Sequence, residues 1–298
     1  TVRTAGEQVV TIMTALDGVD ITQRSAVNPT FFDIARRTAF SYGPTANLLS
    51  AGAALLLGVV AWVRVIGAVI RLEGLLRWVL TTLWTLVGSV AVVASMVGAT
   101  WALRAAREVY HPWYARPGRL FLLLIAVGLT VGWSIARLGQ WLPKRAHGVR
   151  HPLVAWSIAL PCWVALGAVT IWLAPGAAYL WLLPLLSAGL LLSIIPTANA
   201  FAVRAVSAVV FVITAALWLN TAKSLLYFMV PMFGRLPIVT PAYVYAAVMT
   251  VAGLMLVPPL VATIAKSRPF VRPSLETALC LFAVAATAGF AYAAPGYT

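Results

Sequence analysis

The chain has 298 residues, of which 62% are hydrophobic and only 9% charged, with a mean hydropathy of +0.95. An ordinary soluble domain carries roughly 25% charged residues, so this composition excludes a water-soluble globular protein and bounds the number of membrane spans instead. The formal net charge is +14, from 21 Lys and Arg against 7 Asp and Glu. The cations lie in short stretches between apolar runs, which fits attraction to anionic lipid and control of orientation; no nucleic-acid partner is expected.

Residues 1–27 read as soluble. Val9, Ile12, Met13 and Leu16 recur at helical spacing and give one apolar face. One short amphipathic helix cannot bury that face alone, so it needs either the membrane surface or a domain absent from this chain. The polar start at Thr1, with neither Met nor a signal peptide, carries the expectation that something precedes it.

Residues 28–44 form the junction. Phe31, Phe32, Ile34 and Phe40 are apolar among Asp33, Arg36 and Arg37. The mixture suits a helix lying on the bilayer surface, or equally the wetted first turns of the first span.

From residue 45 to 298 the charge-free runs predict an all-α polytopic bundle of eight spans. These are Thr38–Val63, Trp78–Leu103, Leu120–Ala136, two spans between His151 and Arg204 divided at Ala174-Pro175-Gly176-Ala177, then Ala205–Ala222, one beginning near Tyr243 within Leu236–Ala265, and Thr277–Tyr292. With the N-terminus outside, the cytoplasmic loops hold eleven cations (Arg64, Arg71, Arg77, Arg137, Lys144, Arg145, Arg150, Arg204, Lys266, Arg268 and Arg272) against six on the other side. That bias predicts an extracytoplasmic N-terminus.

Pro161, Pro184 and Pro258-Pro259 sit inside spans, where each removes a backbone donor. The resulting kinks fit a cavity or ordinary packing irregularity. Gly128 and Gly132 form a G-x-x-x-G that permits close helix approach. Trp78, Trp101, Trp113, Tyr114, Trp141 and Tyr179 fit an interfacial belt. No repeat suggests the inverted halves of a transporter.

Chemistry is sparse. Cys162 and Cys280 lie in separate apolar runs and read as small membrane-buried side chains. None of the seven acids lies mid-span, and Glu276 opens the last span as a helix-start carboxylate. His147 and His151 have i,i+4 spacing, yet Lys144, Arg145 and Arg150 crowd them and disfavour a dication; His111 stands alone. No catalytic, cofactor-binding or metal residue is assigned.

The order of pieces resembles a family. Gly6 to Leu16, ending in Gly18-Val19-Asp20-Ile21, resembles the last helix of a di-zinc aminopeptidase domain. Asn28-Pro29-Thr30-Phe31-Phe32-Asp33-Ile34 resembles the junction of membrane-anchored members of metallopeptidase family twenty-eight, and Arg150-His151-Pro152 and residues 174–186 resemble segments of bacterial relatives. The resemblance implies a peptidase-domain tail at 1–27, a junction at 28–44 and an eight-span domain after it. It implies zinc only in a peptidase domain outside this chain, fused or associated, since no position here matches the family's zinc set. Asp33 is then a structural residue of the junction, pairing with Arg36 or Arg37. The alternative is a stand-alone transporter-like or scaffold protein, with Arg204 and Asn220 as the polar groups to alter.

Overall fold

The computed structural model describes residues 30–34, 38–108, 112–113, 117–139, 151–234 and 242–264. They form an all-α bundle of membrane-spanning helices with one short β-hairpin. The helices are α1 (Pro44–Glu73), α2 (Leu75–Arg107), α3 (Pro117–Gly139), α4 (Leu153–Leu173), α5 (Tyr179–Ile194), α6 (Ala200–Gly234) and α7 (Ala242–Ile264). Six are long and apolar enough to cross a membrane, and α5, with 16 residues, is shorter. The N-terminal helix and the eighth expected span lie outside the described residues.

The junction departs from expectation. Strands β1 (Thr30–Ile34) and β2 (Thr38–Tyr42) pair antiparallel, with Phe32 opposite Phe40, where a surface helix or the first helical turns had been predicted. The first span accordingly begins at Pro44 rather than Thr38, with Pro in the first turn, where its missing N–H costs no helical bond.

Side-chain bonds fix the directions of the helices. Asn47 near the start of α1 reaches Pro175, just before α5, and Arg64 further along α1 reaches Ser193 and Ile195 at the end of α5, so α1 and α5 are parallel. Trp62 bonds Ser157 near the start of α4, which therefore runs against α1. Trp218 late in α6 bonds Leu180 at the start of α5, an antiparallel pair. The chain passes back and forth across one slab, as the predicted order of spans requires.

Gly74 makes the sharpest reversal. Its φ of 86° is open to glycine at no steric cost, and its N–H bonds the Ile70 carbonyl at 3.0 Å while its carbonyl accepts from Trp78 at 3.1 Å. One residue thus ends α1 and starts α2. α5 is about 24 Å long at 1.5 Å per residue, less than a hydrocarbon core of about 30 Å. At its end the Arg64 guanidinium donates to Ser193 O and Ile195 O, filling two of the acceptors the helix end leaves open.

The three kinking sites share one solution. A proline at position i leaves the carbonyl at i−4 without its helical donor. Pro161 frees Ser157 O, which accepts from Trp62 Nε1 at 3.2 Å. Pro184 frees Leu180 O, which accepts from Trp218 Nε1 at 2.8 Å. Pro258 frees Leu254 O, which accepts from Trp163 Nε1 at 3.0 Å. Each of these three acceptors is filled by an indole from another helix, so Pro161, Pro184 and Pro258 tie helices together at these points.

The interior divides in two. A larger cluster joins α1, α4, α5, α6 and much of α7 around Trp156, Trp163, Leu185 and Met255. A smaller one joins α2, α3 and the start of α7 around Trp113, Leu120, Leu124 and Tyr245. Trp113, expected in the interfacial belt, is 1% exposed and meets Tyr245 edge-to-face at 5.7 Å, while Arg104 lies 5.6 Å over its ring. Trp101, at 66% exposed, keeps the position a belt residue needs. Of the G-x-x-x-G pair, Gly128 sits tight against Met96 and Gly132 faces open space.

Candidate functional site

Polar groups gather at both ends of α1. At the hairpin end, the turn Pro175–Ala177 links α4 to α5. The Asn47 side-chain amide donates to Pro175 O at 3.3 Å, and β1 lies against the same turn. Asn47 is 8% exposed, with its Oδ1 buried and unpartnered. Residues 30–34 and the segment opening at 174, far apart in sequence, therefore meet at the end where the chain enters the bundle.

The opposite end gathers charge. Glu73 closes α1 and Arg77 lies in the first turn of α2, so the Gly74 reversal leaves them one helical turn apart, paired at 2.7 Å with side chains 9% and 17% exposed. Val69, Glu73, Arg77, Trp78, Thr81 and Val154 line a shallow, partly open hollow of about 10 Å³, room for about one water. Ser157 stands behind it: its Oγ accepts from Trp78 Nε1 at 3.0 Å and donates to Val154 O at 2.8 Å. This one serine, with its carbonyl bonded to Trp62, connects α1, α2 and α4.

His151 precedes α4 and Arg204 lies in the second turn of α6. Further along both helices, Trp156 Nε1 donates to Ser207 Oγ at 2.8 Å, a single side-chain bond between them. The His151 Nδ1 accepts from the Leu153 N–H at 3.3 Å. Its Nε2 is buried without a partner, as is the Nε of Arg204. Burial pushes the imidazole pKa down; Glu73 opposes that shift and Arg204 adds to it. The unfolded chain therefore takes the proton first, near 6.5. The neutral ring's contribution to stability is complete above that value and is lost as pH falls through the lower folded pKa. In lipid-free detergent the thermal midpoint should fall between about pH 7.5 and pH 5.5, and fall less in His151→Asn, as a pH series of melting curves would show.

His147, His111, Cys280 and Glu276 lie outside the described residues. Cys162 lies in the middle of α4, inside the span as expected, with its side chain exposed on the surface of the bundle. Among the described residues no three His, Cys, Asp or Glu side chains lie close enough to hold a metal ion. The resemblance gave His151 no partner; its neighbours Glu73 and Arg204 are 78 and 53 residues away. No protein-family model matches this chain, and no curated protein or solved structure is detectably similar to it. The fold defines a multi-pass helical membrane protein in contact with the lipid bilayer.

Proposed function

We propose that the chain is the membrane arm of a zinc-dependent exopeptidase, holding a catalytic domain that precedes it at the extracytoplasmic face. The observation that carries this reading is the meeting of β1 with the Pro175–Ala177 turn, braced by Asn47. The two stretches with the most specific resemblance to membrane-anchored aminopeptidases thus adjoin where such a domain would dock. On this reading the peptide-bond chemistry and its zinc belong to the preceding domain; among the described residues no cluster fits a zinc site. The indole tethers at Pro161, Pro184 and Pro258 suit a stiff anchor better than a transporter that rocks about kinked helices.

Protein isolated from its native membrane is expected to exceed 31.8 kDa well beyond the mass of bound detergent. Peptides upstream of Thr1 should carry a His, Asp and Glu zinc set, and chelator-sensitive aminopeptidase activity should co-purify. A cytoplasmic N-terminus, or a native chain starting at Thr1 with no peptidase attached, overturns the proposal.

A further inference from the structure

The Glu73 end of the bundle is not level. Gly189 of α5 abuts Leu57 and Gly58 of α1, so Ile194, where the parallel α5 ends, stands beside residues 62–63 of α1. α1 runs on to Glu73, about ten residues and so about 15 Å further at 1.5 Å per residue. From Ile194 the turn 195–199 leads straight into α6, and the Asn199 side chain accepts from the N–H groups of Phe201 and Ala202 at 3.0 and 3.1 Å. Arg64 stands at the level of this turn, exposed, and donates to Ser193 O and Ile195 O. Pro196, Ala198 and Asn199 are exposed as well. The tip of α1 and α2 beyond them carries the opposite kind of surface: Leu72, Leu75, Leu76 and Leu80 are exposed around the Gly74 reversal.

A flat membrane surface does not suit both levels. Drawn at the tip, it sinks a guanidinium and an irregular turn about 15 Å into the leaflet, where lipid-exposed loops do not occur and charge is costly. Drawn at Arg64, it leaves the leucines of the tip in water. We propose that the leaflet is indented here: headgroups and water dip to Arg64 and the α5–α6 turn, while acyl chains still cover the tip of α1 and α2. The short α5 drives the indentation. A span of about 24 Å is less than a hydrocarbon core of about 30 Å, and a bilayer meets such a span by thinning around it. Arg64 at its end draws water and headgroups to its guanidinium. The surface beside α5 thus fits a thinned leaflet, and the bundle deforms the bilayer it sits in.

Spin-label accessibility in vesicles of dioleoyl phosphatidylcholine tests this. The full chain, with Cys162→Ser and Cys280→Ser, carries one nitroxide on Ala198→Cys or on Leu80→Cys. Leu80 lies about 8 Å along α2 from the Gly74 reversal, nearer the tip than the turn does. Any flat surface therefore leaves position 80 at least as wet as position 198. The expected result is the reverse: the label at 198 collides more with a water-soluble nickel chelate than with oxygen, and the label at 80 more with oxygen, which concentrates among acyl chains. Arg64→Leu should shift the label at 198 toward oxygen. The comparison of the two labels needs no change at Arg64, so it decides the matter even where Arg64→Leu fails to fold. Nickel favouring both labels would place the tip in water, and oxygen favouring both would place the turn in hydrocarbon. Shielding of position 198 from both reagents would show the turn covered by protein. Each of these results, or a label at 198 unmoved by Arg64→Leu, overturns the proposal.

Discussion

Gly189→Ala is expected to destabilise the bundle by about 2 kcal/mol, the usual cost of an extra carbon in a filled interface. α1 and α5 run parallel and touch backbone to backbone at this point. A β-carbon on Gly189 would lie 2.8 Å from the Leu57 carbonyl carbon and 3.0 Å from the Gly58 nitrogen, and neither atom can move without moving α1. Within a membrane, close van der Waals contact between helices is the main source of association, so separating them forfeits it along their length. Gly58→Ala should cost less, since its nearest neighbour is the flexible tip of Leu185 at 2.7 Å, though Val164 at 2.9 Å is stiffer. Gly98→Ala, with open space around it inside α2, should be neutral or stabilise by about 0.5 kcal/mol. Unfolding midpoints in detergent for the three variants test the order. Equal effects at Gly189 and Gly98 would show that α1 and α5 are not in contact.

Trp163→Ala should have the largest effect, about 3–5 kcal/mol. The side chain is fully buried, meets Trp156 edge-to-face at 5.4 Å and bonds Leu254 O. Trp163→Phe isolates the last of these. It keeps most of the ring and leaves Leu254 O without a donor, at a cost of about 1 kcal/mol. In a Pro258→Ala background that cost should largely vanish, because residue 258 then offers its own N–H to Leu254 O. A double-mutant cycle reads the coupling directly. Additive effects of Pro258 and Trp163 would refute the reciprocal role of proline and indole.

Much of the bundle was legible in the sequence because spanning helices announce themselves locally. A run of some twenty apolar residues between charges needs no knowledge of its neighbours, and seven of the eight expected spans correspond to described helices. The Pro175 turn was legible for the same reason. The junction was not, because five-residue runs such as Thr30–Ile34 carry too little periodicity to separate strand from helix turn. Trp113 shows a different limit: an aromatic at the end of a run fits a belt by position, and only the approach of Arg104 and Tyr245 turns it inward.

What the sequence determined by itself is the solvent the chain is built for, the order of the described helices, and the carbonyls its prolines leave open, all of which follow from composition and from bonds four residues apart. Only the tertiary structure decided which indole fills the carbonyls of Ser157, Leu180 and Leu254, that Gly189 and Gly58 bring two helices into backbone contact, and that Trp78 and Trp62 both meet Ser157. Those pairings join residues tens to over a hundred positions apart, and nothing in local spacing sets the distance between them. It is set by how the helices pack.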